Sequence, residues 1–429
     1  MSFPPMRMQQ LTAEKSPYFF LLILCFTRFL LHLSLQNYPA LIPVLQKQWQ
    51  MSSAAAGSVV SSFHFGYFLS LVGLSFLTDW VSTKKVFIAS CIAYAASSLL
   101  FAFLAQSYAS AFILRGVMGM ALGGTYTPGL KLIAEAFSSS LRGRAMGFFI
   151  GASSLGSAGS LAASGWIAAG FGWRTAFFIT ALGPILGALI ALGWVRKMEM
   201  LKPIRAERAL RKEFVPNPSA RLLIAGYSAH CWELDGMRAW IPAFLVACFL
   251  AVGSAKDPAL KMGSSLSSLI FMVGVLSAGM AGYLSDRFGR TTVILIIMGS
   301  SIACSFSIGW MIGGSVFWIG MVALCYGFFV IAESPVFSSA LSEVVEPHSL
   351  GTALGVRALA GSSVGAVAPT VFGVILDWTN FSPAGGNPGT ILHWGWAFSA
   401  LGLGALIGPW AMIRLRSLPE SVKMAGGKK

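Results

Sequence analysis

The stretch 227–242 concentrates ionisable side chains inside an apolar run. It reads Tyr-Ser-Ala-His-Cys-Trp-Glu-Leu-Asp-Gly-Met-Arg-Ala-Trp-Ile-Pro, so two acids, one histidine and one arginine fall within nine residues. His230 and Glu233 are three residues apart, as are Asp235 and Arg238, which puts the members of each pair about 60° apart around a helix. Because a carboxyl group shielded from water takes up a proton more readily, such acids are candidates for proton loading and release.

The composition indicates that most of the surface of the chain faces hydrocarbon rather than water. Only 10% of the 429 residues are charged, whereas a soluble protein carries roughly 25%. The mean hydropathy is +0.73, and long apolar runs alternate with short polar breaks. This pattern predicts an all-α polytopic membrane protein. The six cysteines lie inside apolar runs without a CxxC pair, and no motif predicts a cofactor, a metal site or an enzyme.

Apolar runs long enough to cross a bilayer recur along the whole chain. A span needs roughly 20 residues, and the first run, at 18–45, is too long for a cleavable signal peptide. The sequence therefore predicts twelve transmembrane helices, at residues 18–45, 54–78, 86–105, 108–137, 143–169, 174–195, 222–250, 263–284, 291–312, 315–341, 351–377 and 392–414.

The basic residues predict the orientation of these spans. With the N-terminus inside, cytoplasmic segments hold 21 of the 30 lysines and arginines, and outside loops hold 4. Both termini are then cytoplasmic, and the net charge of +15 requires no nucleic acid as a partner. The basic interval 196–221 predicts a linker, partly helical and lying on anionic lipid, between an N-terminal half at 1–195 and a C-terminal half at 222–429.

Short motifs recur in the two halves at one spacing. Asp79 and Asp286 follow the second and eighth spans and are 207 residues apart. The string Gly-Arg-Ala-Met-Gly at 143–147 is echoed by Gly-Thr-Ala-Leu-Gly at 351–355, an offset of 208 residues. Matches in order at nearly one spacing predict two homologous six-helix halves.

One of these motifs resembles a known family. Gly282-x-x-x-Asp286-Arg287-x-Gly289-Arg290 resembles the motif between the second and third helices of each half in the major facilitator superfamily. The first-half copy keeps Asp79 and the pair Lys84 and Lys85 but has serine where the glycines are expected. The string Leu-Arg-Gly-Val-Met-Gly-Met-Ala-Leu-Gly at 114–123 resembles the arginine motif of the family's fourth helix.

The resemblance implies the major facilitator fold, in which two pseudo-symmetric six-helix bundles enclose a central cavity. Rocking of the two halves about a midplane site would give alternating access. The resemblance also implies a cytoplasmic gate that holds the outward-open state through charge contacts. Its residues would be Asp79, Lys84, Lys85, Asp286, Arg287 and Arg290.

Charged residues inside the predicted spans indicate what such a cavity would bind. A charge at mid-bilayer costs roughly 2.5–3.5 kcal/mol, so these residues face a partner or water. Arginine suits oxyanions because its donors form a planar fork. The predicted substrate-binding residues are Arg28, His32, His64, Arg115, Tyr126, Trp232 and Arg238. The predicted proton-coupling residues are Glu233, Asp235, His230 and Glu333. Alternatively these charges neutralise one another, for example through Asp235 with Arg28 or His32.

These expectations favour a secondary active transporter of a small, anionic solute, coupled to protons and acting as a monomer in a bacterial inner membrane. The strings at 124–132 and 229–234 are similar to bacterial cyanate- or nitrate/nitrite-type members. The asparagine of the nitrate signature is missing from 151–165 and 359–373, which argues against nitrate itself. Two alternatives are the efflux of drug-like or metal-chelate solutes and a non-transporting sensor or assembly protein on the same fold.

Overall fold

The computed structural model describes residues 17–77, 80–197, 217–346, 349–380 and 392–428. Its regular elements are all helical within that part of the chain. The α-helices are α1 (Pro17–His32), α2 (Asn37–Trp49), α3 (Ser53–Leu77), α4 (Thr83–Leu104), α5 (Tyr108–Ala136), α6 (Ser139–Phe171), α7 (Trp173–Ile190), α8 (Pro218–Ala251), α9 (Lys256–Phe288), α10 (Arg290–Ile308), α11 (Val316–Val344), α12 (Leu350–Thr379), α13 (Gly395–Ala405) and α14 (Ile407–Arg416). A short 3₁₀ segment, Pro419–Gly427, follows α14.

These helices account for the twelve predicted spans. Helices α1 and α2 together make the first span, and α13 and α14 together make the last. Ten spans are long and apolar enough to cross a membrane by length and composition. Helices α3 and α5, with 25 and 29 residues, complete the twelve at the predicted positions. Most of the predicted linker at 196–221 lies outside the described residues, so its helical character and the domain division stay predictions.

The first span is interrupted between α1 and α2, whereas the sequence predicted one continuous helix. Pro39 lies in the first turn of α2 and has no N–H to give to the carbonyl group of Leu35. The Nη2 atom of Arg115 donates to that carbonyl oxygen instead, at 3.3 Å. The backbone N–H of Gln36 donates to Ser160 Oγ at 3.1 Å. Side chains of neighbouring helices thus satisfy the broken backbone, as hydrocarbon requires.

Close contacts between the two halves lie at one end of the molecule. Helix α3 packs on α12, and α6 packs on α9. A Cβ atom added at Gly57 would lie 2.2 Å from the carbonyl oxygen of Pro369, and one added at Gly165 would lie 2.3 Å from Ser264 Cβ. Glycine therefore allows the backbones of opposite halves to touch at this end.

An acid on α12 joins the same end of the molecule to α3. Asp377 accepts hydrogen bonds from the backbone N–H groups of Ser53 and Ala54, at 2.7 and 2.8 Å. These N–H groups belong to the first turn of α3, where no helical carbonyl can reach them. A carboxylate there also interacts favourably with the positive end of the helix dipole. Asp377 thus caps a helix of the opposite half.

Glycines at the other ends of the same four helices make no such close contacts. Added Cβ atoms would meet nothing within 4 Å at Gly73 of α3, Gly143, Gly147 and Gly151 of α6, Gly279 and Gly282 of α9, and Gly351 and Gly355 of α12. The sequence-based orientation assigns these ends to the cytoplasmic side. The close glycine contacts between the two halves therefore lie at one end of the molecule.

Candidate functional site

Arg28 is a buried cation among the helices of the N-terminal half. Its side chain is 3% exposed, and its Nη1 atom donates to Thr125 Oγ1 at 2.7 Å. Its Cζ atom lies 5.3 Å from the ring centroid of Tyr126 and 5.2 Å from that of Phe149. Its Nε atom has no hydrogen-bond partner within the described ranges, which also supply no acid to pair with it. Thr125 and the two rings orient a guanidinium group that keeps donor capacity for a ligand.

His32 and Arg115 are also buried, but both are engaged with backbone at the interrupted first span. His32 Nδ1 lies 2.8 Å from the carbonyl oxygen of Arg28. Arg115 is 1% exposed, and its Cζ atom lies 4.6 Å from the ring centroid of Phe63 and 5.5 Å from that of Tyr38. The structure thus uses one guanidinium N–H of Arg115 to stabilise the helix break.

Two acids are buried together inside the C-terminal half. Glu233 of α8 and Glu333 of α11 are both fully buried. Ser301 Oγ of α10 lies 3.1 Å from Glu233 Oε2, 3.0 Å from Glu333 Oε1 and 3.0 Å from the carbonyl oxygen of Met298. No lysine or arginine forms an ion pair with either acid in the described part of the chain. Three acceptor groups therefore surround one hydroxyl group.

His230 joins this acid pair. Its Nδ1 atom lies 2.9 Å from Glu333 Oε2, and its Nε2 atom lies 2.6 Å from Ser334 Oγ. A neutral imidazole can donate from one ring nitrogen to a carboxylate and accept a hydroxyl hydrogen at the other. His230, Glu233, Ser301 and Glu333 form one buried network, which we call the acid cluster. Its members come from α8, α10 and α11.

Asp235 lies outside the acid cluster, on the side of α8 that faces α12. A Cβ atom added at Gly365 of α12 would lie 2.2 Å from Asp235 Oδ2. Among the described residues, Asp235 forms no ion pair with Arg28, His32 or Arg238. His64 of α3 is half-buried and lies within electrostatic range of Asp235 and Arg238. The two pairs named as examples of the alternative interpretation, Asp235 with Arg28 and Asp235 with His32, are not formed among the described residues.

Arg238 has an aromatic neighbour and an unused donor. Its Cζ atom lies 5.3 Å from the ring centroid of Phe271, and its Nε atom has no hydrogen-bond partner in the described segments. Trp232, in contrast, donates from Nε1 to the carbonyl oxygen of Ala400 at 3.3 Å and packs against Gly404. The structure therefore places Trp232 against α13 and does not bring it to the arginines.

Arg357 of α12 is a further candidate that was not among the residues predicted from the sequence. Its Cζ atom lies 4.2 Å from the ring centroid of Tyr227, and its Nη1 atom donates to Ser338 Oγ. Its Nε atom is buried without a partner in the described part. Tyr227 lies within electrostatic range of Tyr126, the ring beneath Arg28. A charge inside the apolar run 351–377 was the signal that could have identified Arg357, by the rule that identified Arg28.

The predicted gate residues of the second half interact within that half. Arg290 pairs with Asp286 at 2.5 Å and with Glu343 of α11 at 2.6 Å. Glu343 Oε2 also accepts the backbone N–H of Ala425 at 2.9 Å, so the segment after α14 docks on the same residues. Arg287 Cζ lies 5.3 Å from the ring centroid of Phe288. Each of these contacts thus joins residues of the C-terminal half.

The first-half gate residues are described only in part. Asp79 lies outside the described residues. Lys84 is half-buried and Lys85 is exposed, both at the start of α4. Their part in a gate stays a prediction, as does that of Asp286, Arg287 and Arg290.

The family of the chain follows from its sequence as a whole. Residues 24–369 match the family model described as Major Facilitator Superfamily. The chain belongs to this superfamily. The predicted fold class is confirmed: twelve transmembrane helices form the two six-helix bundles of a major facilitator, and the protein is a membrane transporter rather than an enzyme.

Curated relatives of this major facilitator are named as transporters. A probable 4-methylmuconolactone transporter of Cupriavidus pinatubonensis is 24% identical over 86% of this chain and 85% of its own. The hexuronate transporter of Bacillus subtilis is 23% identical over 79% of this chain and 82% of its own. The probable sulfoacetate transporter SauU of Cupriavidus necator is 23% identical over 85% and 88%. These names describe small organic solutes.

A solved structure supports the fold independently. A bacterial homologue of the human lysosomal transporter Spinster, in an inward-facing and unoccupied conformation, superposes with a TM-score of 0.73. The match covers 94% of this chain and 98% of that chain at 17% sequence identity. At this identity the comparison supports the fold of the major facilitator and no finer property.

Proposed function

We propose that this major facilitator moves a small organic anion across the membrane by alternating access and couples the movement to protons. The observation that carries the proposal is Arg28, a buried guanidinium group with an unused donor and no acidic partner among the described residues. An unpaired charge at this depth is costly, so an anionic ligand is the partner that best offsets it. Relatives named for hexuronate and sulfoacetate agree with an organic anion.

The acid cluster supports proton coupling. Ser301 has one hydroxyl hydrogen but lies within hydrogen-bond distance of two carboxyl groups and a carbonyl group. A proton on one carboxyl group supplies a second donor and removes the repulsion between Glu233 and Glu333. Release of that proton would leave two adjacent carboxylates without a lysine or arginine in the described structure. Gain or loss of this proton therefore changes both the hydrogen bonds within the cluster and the repulsion between its two carboxyl groups, as a coupling site requires.

The contacts between the halves support alternating access. The halves touch through glycines and Asp377 at one end, whereas glycines at the other end of the same helices make no close contact. With the orientation predicted from the basic residues, the end without these contacts opens to the cytoplasm. Closing it would bring Asp286, Arg287 and Arg290 towards the first-half gate residues. We further propose a monomer in a bacterial inner membrane, with both termini cytoplasmic.

Transport in liposomes tests the proposal. The purified protein is reconstituted, a pH gradient is imposed, and uptake of a panel of labelled organic acids is measured. We expect at least one anion to accumulate above its equilibrium level, and a protonophore to abolish that accumulation. Absence of flux for every anion would contradict the proposal. Transport of cationic drug-like solutes that is insensitive to Arg28→Gln would favour the efflux alternative.

Asp377 allows a separate test of alternating access. Asp377→Ala removes the cap from α3, which costs about 1 kcal/mol and would shift the equilibrium between states about fivefold towards the one open at this end. Labelling of a Ser61→Cys side chain by a membrane-impermeant maleimide should rise accordingly. Asp257→Ala, which changes an exposed acid in the first turn of α9, is the control. Equal labelling in both variants would argue against this gate.

A further inference from the structure

We propose that the substrate carries two anionic groups, one bound by Arg28 and the other by Arg357, so that Arg357 selects dianions over monoanions. The inference rests on the proposed function and names the substrate class of that site. It follows from the positions of these two arginines in opposite halves, from their neighbours and from the distribution of charge around them.

Each of the two arginines lies over a tyrosine of its own half. Arg28 lies 5.3 Å from the ring centroid of Tyr126 in the N-terminal half. Arg357 lies 4.2 Å from the ring centroid of Tyr227 in the C-terminal half. The two tyrosines lie within electrostatic range of each other across the boundary between the halves. A solute between the halves at the tyrosines would thus have one guanidinium group on each side.

The fixed partners of both arginines are neutral. Arg28 donates to the hydroxyl group of Thr125, and Arg357 donates to that of Ser338. In each case Nε has no partner in the described structure. A hydroxyl group and an aromatic face hold a guanidinium group in place without cancelling its charge. Both groups can therefore offer further donors to a carboxylate or sulfonate.

The remaining charges near the boundary between the halves leave these two uncompensated. Asp235 and Arg238 are three positions apart on α8 and attract one another electrostatically, although no ion pair within 4 Å forms between them in the described structure. Arg115 lies at the helix break inside the N-terminal half, where its Nη2 atom donates to the Leu35 carbonyl oxygen and its Nε and Nη1 atoms have no partner in the described structure. Glu233 and Glu333 are directed into the acid cluster. Two positive charges from opposite halves are best matched by two negative charges on one ligand.

Matched pairs of acids test the inference on the purified full-length protein. The pairs are acetate and sulfoacetate, propionate and succinate, and benzoate and terephthalate, in which the second member adds one anionic group to a similar body. Affinity is measured by isothermal titration calorimetry. We expect the dianion to bind at least about tenfold more tightly in one or more pairs, because a second charge-assisted contact is formed.

The variants assign the preference to Arg357. Arg357→Gln, which keeps a donor for Ser338, should reduce the preference for the dianion to less than about threefold while the affinity for the monoanion changes little. Arg357→Lys should retain part of the preference because it retains the charge. Arg174→Gln is the matched control, since Arg174 also stacks on a ring, that of Trp173, but lies away from the site.

The outcomes separate this inference from the proposed function. Equal affinities of the wild-type protein for both members of all three pairs would overturn the dianion assignment and leave anion transport intact. Loss of both affinities by the same factor in Arg357→Gln would overturn the selective role of Arg357. Binding of none of the six acids, together with no flux in liposomes, would overturn the proposed function as well.

Discussion

The interiors of the two halves differ in the sign of their buried charge. In the described N-terminal half, Arg28 and Arg115 are buried with no acid in contact. In the described C-terminal half, Glu233 and Glu333 are buried together, and their cationic candidate is His230. The two halves share one helical arrangement, so the difference comes from the side chains that each half places in it.

Positions related by the internal repeat show the same difference in charge between the two halves. Thr125 and Glu333 are 208 residues apart, and Arg28 and Asp235 are 207 apart, the two offsets found between the repeated motifs. Positions related by the repeat thus carry a hydroxyl group and a cation in one half and two acids in the other. Under the proposed function, Arg28 of the N-terminal half would bind the anion, together with Arg357 of the other half, and the acid cluster of the C-terminal half would take up the proton.

The largest effect is expected from removing the free cation of the N-terminal half. Arg28→Gln keeps a donor for Thr125 but loses the charge, so charge-assisted bonds to the anion are lost. These bonds are worth up to about 3 kcal/mol, and uptake at low substrate concentration should fall about 100-fold. Uptake in liposomes is the measurement, with Arg174→Gln as control. An Arg28→Gln protein that transports normally would remove the basis for the anion-binding half.

An intermediate effect is expected in the acid cluster. Glu333→Gln preserves an acceptor for Ser301 but cannot exchange a proton, so the proton gradient can no longer drive uptake. Accumulation should fall by about tenfold, a loss of about 1.4 kcal/mol of driving force, whereas exchange of labelled for unlabelled substrate continues. Exposed Glu346→Gln is the control. Undiminished gradient-driven accumulation in the Glu333 variant would mean that the acidic half does not carry the coupling proton.

The smallest effect on transport is expected from the second cation of the N-terminal half. Arg115→Gln weakens the hydrogen bond to the Leu35 carbonyl group at the helix break, which should cost about 1–3 kcal/mol of stability and lower the melting temperature by a few degrees. Transport should fall only a few-fold. Thermal unfolding and uptake are compared in one preparation. A loss of uptake as large as that of Arg28→Gln would instead make Arg115 a direct ligand.

The sequence predicts which residues are charged inside a span but not which way each one faces. Arg28, Glu233 and Glu333 could be identified because ionised groups are rare and costly inside apolar runs. The sequence could not separate the role of Glu233 from that of Asp235, which are two residues apart and therefore about 160° apart around α8. The structure places Glu233 in the acid cluster and Asp235 against α12. Which side of a helix faces a partner depends on the neighbouring helices.

Two further features escaped sequence analysis for related reasons. The break in the first span depends on Pro39 and on Arg115, 76 residues later, and no local pattern links them. Asp377 lies near the end of an apolar run, where an acid is unremarkable until its contact with the first turn of α3 in the other half is seen. Pairings between residues far apart in the chain are set by packing.

The sequence by itself determined the environment and the scaffold: hydropathy requires long helices in lipid, and motifs repeated at one spacing require two related halves. It also identified the charged residues inside apolar runs, whose burial requires a partner or contact with water. Only the tertiary structure decided which of these charges meet, that the acids share Ser301, and that Arg28 and Arg357 each lie over a tyrosine of their own half. The physical reason is that the free-energy cost of removing a charged side chain from water depends on its residue type alone. The interactions that offset this cost depend on which groups lie within a few ångströms of the charge.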